Sequence, residues 1–486
     1  MIGHSAFWPA YRRRSLRSHT LALCDDEGRL SWLGQGSELV TVECQSYSEW
    51  RGFVTTNRLD VFCRDLTAFR WLPDAAAHPK DTVLCCKNSL DFAARAACIT
   101  LRQGNNWGSL HESKVWGSHE YPTAALLKRL VALFEHLESG VYPTPGALGQ
   151  ETMRRHSHGR HTAPCPAVCD DLRAGLVGGR CDLWDGSRRP FAFEYDRNAA
   201  YVSECLYDVP TRTAIPLSGG LAPWEWEDQP WFTYYVRCTV LIREKLLIGP
   251  FGVREPSGIV RYPVEPGLYV GIWLWRHEVE ECLSLGCMVN WERTGAAWER
   301  GEPILREWAE WILGKRASAP RRIAGMVKLV GVAGIGWFGM GDTLYRMVDR
   351  APDDTDVATL LIESGEQGGR IGMGEVIALP KVDSQMIHWA SWIWSMARFR
   401  LYRRALAEIQ DGNPVLSTNF DSLIVAQPSR LPVSGEPGEW RLEATLTNAE
   451  QPYIRALVSA EKRRTPGIPG RGANETDHSR ASDSDP

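Results

Sequence analysis

Two aspartates, far apart in the chain, stand in frames that suit metal-assisted chemistry. Asp196 lies in Phe193-Glu194-Tyr195-Asp196-Arg197-Asn198-Ala199-Ala200-Tyr201, and Asp421 in Thr418-Asn419-Phe420-Asp421-Ser422-Leu423-Ile424-Val425. Each frame is an apolar stretch meeting a carboxylate, the pattern by which a strand carries an acid to the edge of a sheet. Two acids delivered to one place can hold a pair of divalent ions. Metals a few ångströms apart activate an attacking hydroxyl and neutralise the charge on phosphates during in-line displacement. Without a cation, two convergent carboxylates repel each other, so the presence of both favours a metal-dependent nucleotidyl transferase over an inert relative.

Such a reaction also needs positive charge for a phosphate tail. Arg321 and Lys328 are two helical turns apart and can face one anionic ligand, Lys328 as a compact point charge. Gly331, Gly334, Gly336 and Gly339 follow and are expected to interrupt the helix. An interior glycine costs roughly 1 kcal/mol against alanine, so the run implies close approach of another backbone or a base pair, or else a packing turn. Upstream, Gly178-Gly179-Arg180 offers backbone amides and a guanidinium to phosphate oxygens, with a plain interdomain turn as the alternative. A predicted helix from Gln385 to Ile409 carries Arg398, Arg400, Arg403 and Arg404 among Trp389, Trp392 and Trp394. The cations suit a nucleic-acid groove, whereas a tryptophan stripe suits a core.

Composition bounds these readings. A chain of 486 residues with 44% hydrophobic content can form two or three domains with real cores. A net charge of -4 and an isoelectric point near 6.3 are not those of a generic nucleic-acid binder. Binding would fall to local basic surfaces, for which Arg12 to Arg14, Lys315 to Lys328 and Arg398 to Arg404 are candidates. No apolar run approaches the roughly 18 residues of a membrane span, and the first residues lack a secretory core segment, so a soluble, cytoplasmic protein is expected. The 13 cysteines show no regular spacing and suggest no disulfide framework. His156, His158, His161, Cys165 and Cys169 are zinc-ligand types within one short segment, which Pro164 and Pro166 break.

From about Arg173 onward the chain resembles the family B DNA polymerases of phages and linear plasmids, the protein-primed type. That family's first polymerase motif runs Asp, two residues, Ser-Leu-Tyr-Pro; Asp196, Asn198 and Tyr201 fall on its acid, its amide and its sugar-sensing tyrosine, and Val202 replaces the proline. Its third motif, Asp-Thr-Asp-Ser, is matched by Asn419-Phe420-Asp421-Ser422, with the first acid changed to an amide and the usual metal ligand kept as Asp421. The finger motif, whose lysine grips the incoming triphosphate, is matched at Lys328-Leu329 and Ile335-Gly336, with Val332 and Ile335 where Asn and Tyr are usual. Leu176-Val177-Gly178-Gly179-Arg180 resembles the Tyr-x-Gly-Gly element that touches the template.

The resemblance implies an α+β right-hand polymerase of palm, fingers and thumb, preceded by a ribonuclease-H-like exonuclease-type domain. The implied divisions are residues 1–150 for that domain, 151–180 for a linker, 181–435 for palm and fingers with insertions, 436–470 for a thumb-like segment and 471–486 for a disordered tail. Insertions are expected around Leu247 to Tyr262 and Asp349 to Gly374, and a thumb start near Tyr453 and Lys462 to Arg464. Strand Gly267 to Trp273 and a helix from His277 to Leu285 should precede the finger helix.

Asp196 and Asp421 would bind two magnesium ions, with manganese able to substitute. Lys328, Arg321, Asn198 and Tyr201 would meet the nucleotide, and Gly178, Gly179, Arg180 and Ser422 the DNA. Partners would be template and primer DNA, deoxynucleoside triphosphates and a terminal protein as primer, in the cytoplasm of a bacterial host. In the first domain Asp25-Asp26-Glu27 contains the exonuclease Asp-x-Glu, but Gly28-Arg29-Leu30 reads as a hairpin turn. Arg64 to Phe69 puts Phe69 where the second acid belongs, and the predicted helix from Thr123 to Leu137 has no aspartate, so exonuclease activity is not expected. Two other readings stand beside the templated polymerase: a primer-independent or untemplated nucleotidyl transferase, and a catalytically inactive polymerase-like DNA-binding scaffold.

Overall fold

The computed structural model describes residues 20–24, 27–34, 38–63, 70–71, 82–84, 100–103, 124–139, 145–157, 164–184, 190–211, 214–226, 230–254, 260–338, 344–347, 369–371, 374–379 and 386–447. Asp25 and Asp26, Arg64 to Phe69, His158 and His161, the thumb residues from Tyr453 and the tail therefore lie outside the described residues.

The N-terminal sheet runs in the order Leu39–Val42, Leu30–Leu33, Thr20–Cys24, Leu59–Cys63, Thr100–Gln103, Thr82–Leu84. Its first three strands in sequence form an antiparallel meander, and the rest run parallel to Thr20–Cys24, which is the ribonuclease-H-like arrangement. The turn expected at Gly28 is present, with φ +81° and the Trp71 ring pressed against it where a Cβ would stand. Parallel pairing needs a crossover, supplied by the helix Tyr47–Thr56. Ser46 caps that helix by accepting from the Glu49 N–H at 3.2 Å while Glu49 accepts from the Gln45 N–H at 2.7 Å. The predicted helix near 123–137 is found as Ala124–His136.

A second, antiparallel sheet carries the two aspartates. Its order is Trp440–Thr447, Phe191–Arg197, Ser422–Val425, Val415–Phe420, Arg180–Leu183. Period-two alternation divides its faces: Tyr195, Leu423 and Val425 pack on Leu401, Tyr402 and Ala405 of the long helix Ile387–Gln410, while Ala192, Ile424 and Leu446 cluster on the other side. Strand Trp440–Thr447 pairs with the Asp196 strand, so the expected thumb segment begins with palm sheet rather than thumb. Residues 151–180 are likewise more than a linker, since they contain the second half of the helix Pro145–His156 and the whole of Pro166–Ala174.

A third sheet, in the order Ile215–Leu217, Met288–Trp298, Thr233–Ile242, Gly267–Trp275, leads into the helix Arg276–Ser284, close to the expected strand and helix. Helices Arg306–Ala317 and Arg321–Phe338 then form the finger hairpin. The glycines do not interrupt it: Gly331, Gly334 and Gly336 all lie inside Arg321–Phe338. At Gly334 the use is close approach, whereas a Cβ at Gly336 would meet nothing within 4 Å. An ideal Cβ at Gly149, on Pro145–His156, would stand 2.6 Å from the Gly334 Cα, and the Gln150 side chain donates to the Gly334 carbonyl at 2.8 Å. Strands Leu344–Met347, Gly369–Ile371 and Gly374–Leu379 form a small sheet between the finger hairpin and the long helix. Among the described residues no helix is long and apolar enough to cross a membrane.

Candidate active site

The site is built on two strands and the turns that leave them. Asp196 and Ser422 stand opposite each other in the register of the central pair, and Asp421 occupies the tight turn just before Ser422. Asn419 and Ser422 form the last pair of that hairpin, leaving Phe420 and Asp421 at its tip. Its Asp421 N–H donates to the Asn419 carbonyl at 2.8 Å, and the Arg197 N–H donates to the Asp421 carbonyl at 2.9 Å, which ties the two acid-bearing segments together. Phe420 has φ +59° and Ala199, three residues past Asp196, has φ +54°. Left-handed backbone at a bulky residue costs on the order of 1–3 kcal/mol and collects where a site over-determines the chain. Here both strained residues sit beside the acids.

A cleft opens beside Asp421. Tyr201, Val202 and Asp421 form its palm side; Arg316, Lys328 and Gly331 face them from the two finger helices. Burial, then the neighbouring charge of Asp196, pushes the Asp421 carboxyl up to about 6, and Lys328 opposes that rise. Burial, then the Asp421 charge, raises Tyr201 well above the ordinary phenol. Burial lowers Arg316, with Arg441 adding to the effect and Asp196 and Asp421 working against it. Asp421, with Asp196 close by, therefore faces Lys328 and Arg316 across a half-buried space, an arrangement suited to a polyanion and to divalent ions. The donor set is hard carboxylate oxygen, which fits magnesium or manganese, and a carboxylate whose proton affinity is raised by burial and then by a neighbouring acid gains from a cation placed beside both.

Solved structures of known proteins can be set against this arrangement. Phi29 DNA polymerase in an orthorhombic crystal form matches with a TM-score of 0.57 and 12% identity over 88% of this chain and 85% of that one. Its ternary complex with primer-template DNA and incoming nucleotides matches at 0.58 and 12%, with the same coverage. Its complex with single-stranded DNA matches at 0.58 and 13%, over 88% of this chain and 84% of that one. The chain has the fold of Phi29 DNA polymerase. It is an α+β right-hand polymerase fold with a ribonuclease-H-like domain ahead of it. No protein-family model matches the sequence, and no curated protein does.

Within that fold the sequence-predicted residues divide sharply. Asp196, Asp421, Tyr201 and Lys328 converge. Arg321, exposed on the first turn of the finger helix, does not line the cleft; Arg316, at the end of the preceding helix, does. Asn198 is committed to the protein, its side chain donating to the Gly435 carbonyl at 2.7 Å and its own carbonyl accepting from Gly438 at 2.7 Å. Ser422 is buried and donates to the Asn419 carbonyl at 3.2 Å, so it closes the turn rather than meeting DNA.

The Gly178-Gly179-Arg180 element is also turned inward. Arg180 is 1% exposed, donates to Asp182 at 2.6 Å and to the Gly249 carbonyl at 2.7 Å, and lies 4.1 Å from the centre of the Tyr262 ring. Gly178 and Val177 give their carbonyls to Arg398. Gly179 is a notch: an ideal Cβ there would stand 2.7 Å from the Tyr201 hydroxyl and collide with the Phe420 ring. Its smallness lets the tyrosine and the turn beneath Asp421 pack together.

The arginine-rich helix serves the fold too. Arg398 pairs with Glu278 at 3.0 Å, Arg400 with Glu204 at 2.8 Å, Arg403 with Glu281 at 2.8 Å and Arg404 with Glu408 at 3.0 Å. The core reading of the tryptophans holds for Trp389 and Trp394, both buried. Of the zinc-type residues, His156 stacks on Trp311 with centroids 4.6 Å apart and Cys169 donates to the Pro164 carbonyl at 3.4 Å. Among the described residues no group of three or more His, Cys, Asp or Glu could hold a metal ion. Sequence reasoning singles out neither Arg316, which lies inside the candidate basic stretch Lys315 to Lys328, nor Arg441. Arg316 could have been found as the basic end of the helix that the finger hairpin requires, whereas Arg441 reaches Asp196 only through sheet register.

Proposed function

We propose that this chain is a DNA polymerase that adds deoxynucleotides to a hydroxyl end under the direction of a template. The observation that carries the reading is the cleft itself, where Asp421, with Asp196 close by on the neighbouring strand, faces Lys328 and Arg316 from the finger hairpin. Asp196 and Asp421 would hold the magnesium or manganese ions, and these, when bound, supply Lewis acidity and charge neutralisation for phosphoryl transfer.

The chain's own residues do the positioning. Lys328 and Arg316 grip the triphosphate, a pairing of point charge and planar fork that suits phosphate oxygens. Tyr201, seated on Gly179, lies under the sugar and disfavours a 2′-hydroxyl. The half-buried cleft keeps water away and strengthens each charge interaction within it. Primer-template DNA and nucleotides, present in the Phi29 DNA polymerase complexes, are the partners this reading calls for. Priming from a terminal protein, strand displacement and work in the cytoplasm of a bacterial host belong to the same proposal, with the N-terminal domain as scaffold or strand clamp rather than nuclease.

One observation favours a second reading, the untemplated nucleotidyl transferase: the element expected to meet a template is engaged internally through Arg180 and Arg398. Thermal unfolding with and without magnesium tests the enzyme readings against an inactive scaffold. The metal should raise Tm in the wild type and not in Asp196→Ala. An equal response, or none, in both would support the scaffold.

A further inference from the structure

Arg441 is the feature of the site that the polymerase reading leaves without a task. It stands directly opposite Asp196 on the neighbouring strand, so both side chains project on the sheet face away from the long helix. Its Nη2 lies 3.3 Å from Asp196 Oδ2 and 2.7 Å from Glu443 Oε2. Its Nε is buried with no hydrogen-bond partner. Arg316 is near enough to feel both Arg441 and the two aspartates.

A guanidinium on a carboxylate oxygen uses a position that a divalent ion would use. The two acids of this site are thus unequal: Asp196 carries an arginine, and among the described residues Asp421 pairs with none. We infer that Arg441 is a positioning residue that competes with the divalent cation for Asp196, shared between Asp196 and Glu443 so that loading the metal moves it toward Glu443. The inference rests on the reading of Asp196 and Asp421 as metal ligands. In the metal-free protein the internal cation limits repulsion between the acids, and metal affinity is lower than the acids alone would give. Glu443 is the acceptor that makes release of Asp196 inexpensive, because the arginine leaves one carboxylate for another already at hand.

The test is Mn2+ binding to the full-length protein, followed by electron paramagnetic resonance of the free ion, with no nucleotide present. Arg441→Gln should bind Mn2+ about tenfold more tightly than the wild type, the order expected for removing one partly screened positive charge a few ångströms from the ion. Arg441→Lys, which keeps the charge, should stay near the wild-type affinity. Equal affinity in the wild type and Arg441→Gln, or weaker binding in Arg441→Gln, overturns the inference and leaves the metal site standing.

Absence of Mn2+ binding in the wild type, Arg441→Gln and Asp196→Ala alike breaks the metal reading and takes the inference with it. Should Arg441→Gln fail to fold, Glu443→Gln probes the same contact from its other side. With its second acceptor weakened, Arg441 closes on Asp196 and Mn2+ binding falls several-fold; unchanged or tighter binding overturns the inference.

Discussion

Two groups of basic residues in this chain look alike on paper and behave differently. The helix Ile387–Gln410 carries four arginines within seven positions, and each has a glutamate within 3.0 Å. The cleft carries Arg316 and Lys328 on separate helices, and the acids they face, Asp196 and Asp421, are short side chains at a sheet edge. In the first group the partners match the cations one for one and lie inside the protein, so the charge is spent on holding elements together. In the second the cations outnumber what the aspartates neutralise once a metal sits between them, which leaves positive charge for a ligand. Density of arginine in a sequence says little about binding until the carboxylates opposite are known.

The comparison can be pressed from both sides. The largest effect should come from the acids that give the cleft its purpose: Asp421→Asn keeps the shape and removes the charge, and primer extension should fall at least about a thousandfold, by analogy with the loss of several kcal/mol of transition-state charge stabilisation. A loss of tenfold or less would mean that Asp421 is not a metal ligand.

Next in size is the helix lattice. Glu278→Ala strands Arg398, whose side chain is 9% exposed, and should destabilise the fold by about 3–5 kcal/mol in denaturant melts, because an uncompensated buried charge remains. Arg403→Ala, which removes a guanidinium 58% exposed and leaves Glu281 its bond from the Tyr402 hydroxyl, should cost less than about 1 kcal/mol. If the two variants unfold alike, the helix is not held in the way described.

Lys328→Ala and Arg316→Ala should leave Tm within a few degrees of the wild type and raise the KM for nucleotide about tenfold or more each, near 1.4 kcal/mol of lost binding. A large drop in Tm with unchanged KM would move these residues into the structural group.

The smallest and most graded effect is pH. The folded protein binds the Asp421 proton more tightly than an unfolded chain does, with its carboxyl raised from 3.8 to about 6. Metal-free stability should therefore decline as pH rises through that window, and extension should be lost as pH falls below about 6, where the proton displaces the metal. A pH profile flat down to 5 would contradict this.

What the sequence revealed, and what it hid, follows from the range of the interactions involved. The Gly28 turn, the helix Ala124–His136, the strand Gly267–Trp275 and the two aspartate frames are local patterns, readable from period and turn chemistry. The glycines of Arg321–Phe338 misled because a glycine in a helix looks like a break until its neighbour is known; for Gly334 that neighbour is Gly149 of a distant helix. Arg180, Asn198 and Ser422 sit where motif residues sit, yet their partners at Gly249, Gly435 and Asn419 are fixed by tertiary packing. Arg441 is the plainest case. Nothing within ten residues of it suggests a role, and strand register alone brings it to Asp196.

The most direct test of the account is extension of a labelled primer on four DNA templates that differ only at the first unpaired base, with magnesium, using Asp196→Ala as the blank. The account predicts that the wild type adds one nucleotide in each case, the complement of the template base, and that the blank adds none. Addition of the same nucleotide on every template would contradict templated synthesis in favour of the untemplated transferase. Equal extension by the wild type and the blank would contradict the assignment of the cleft.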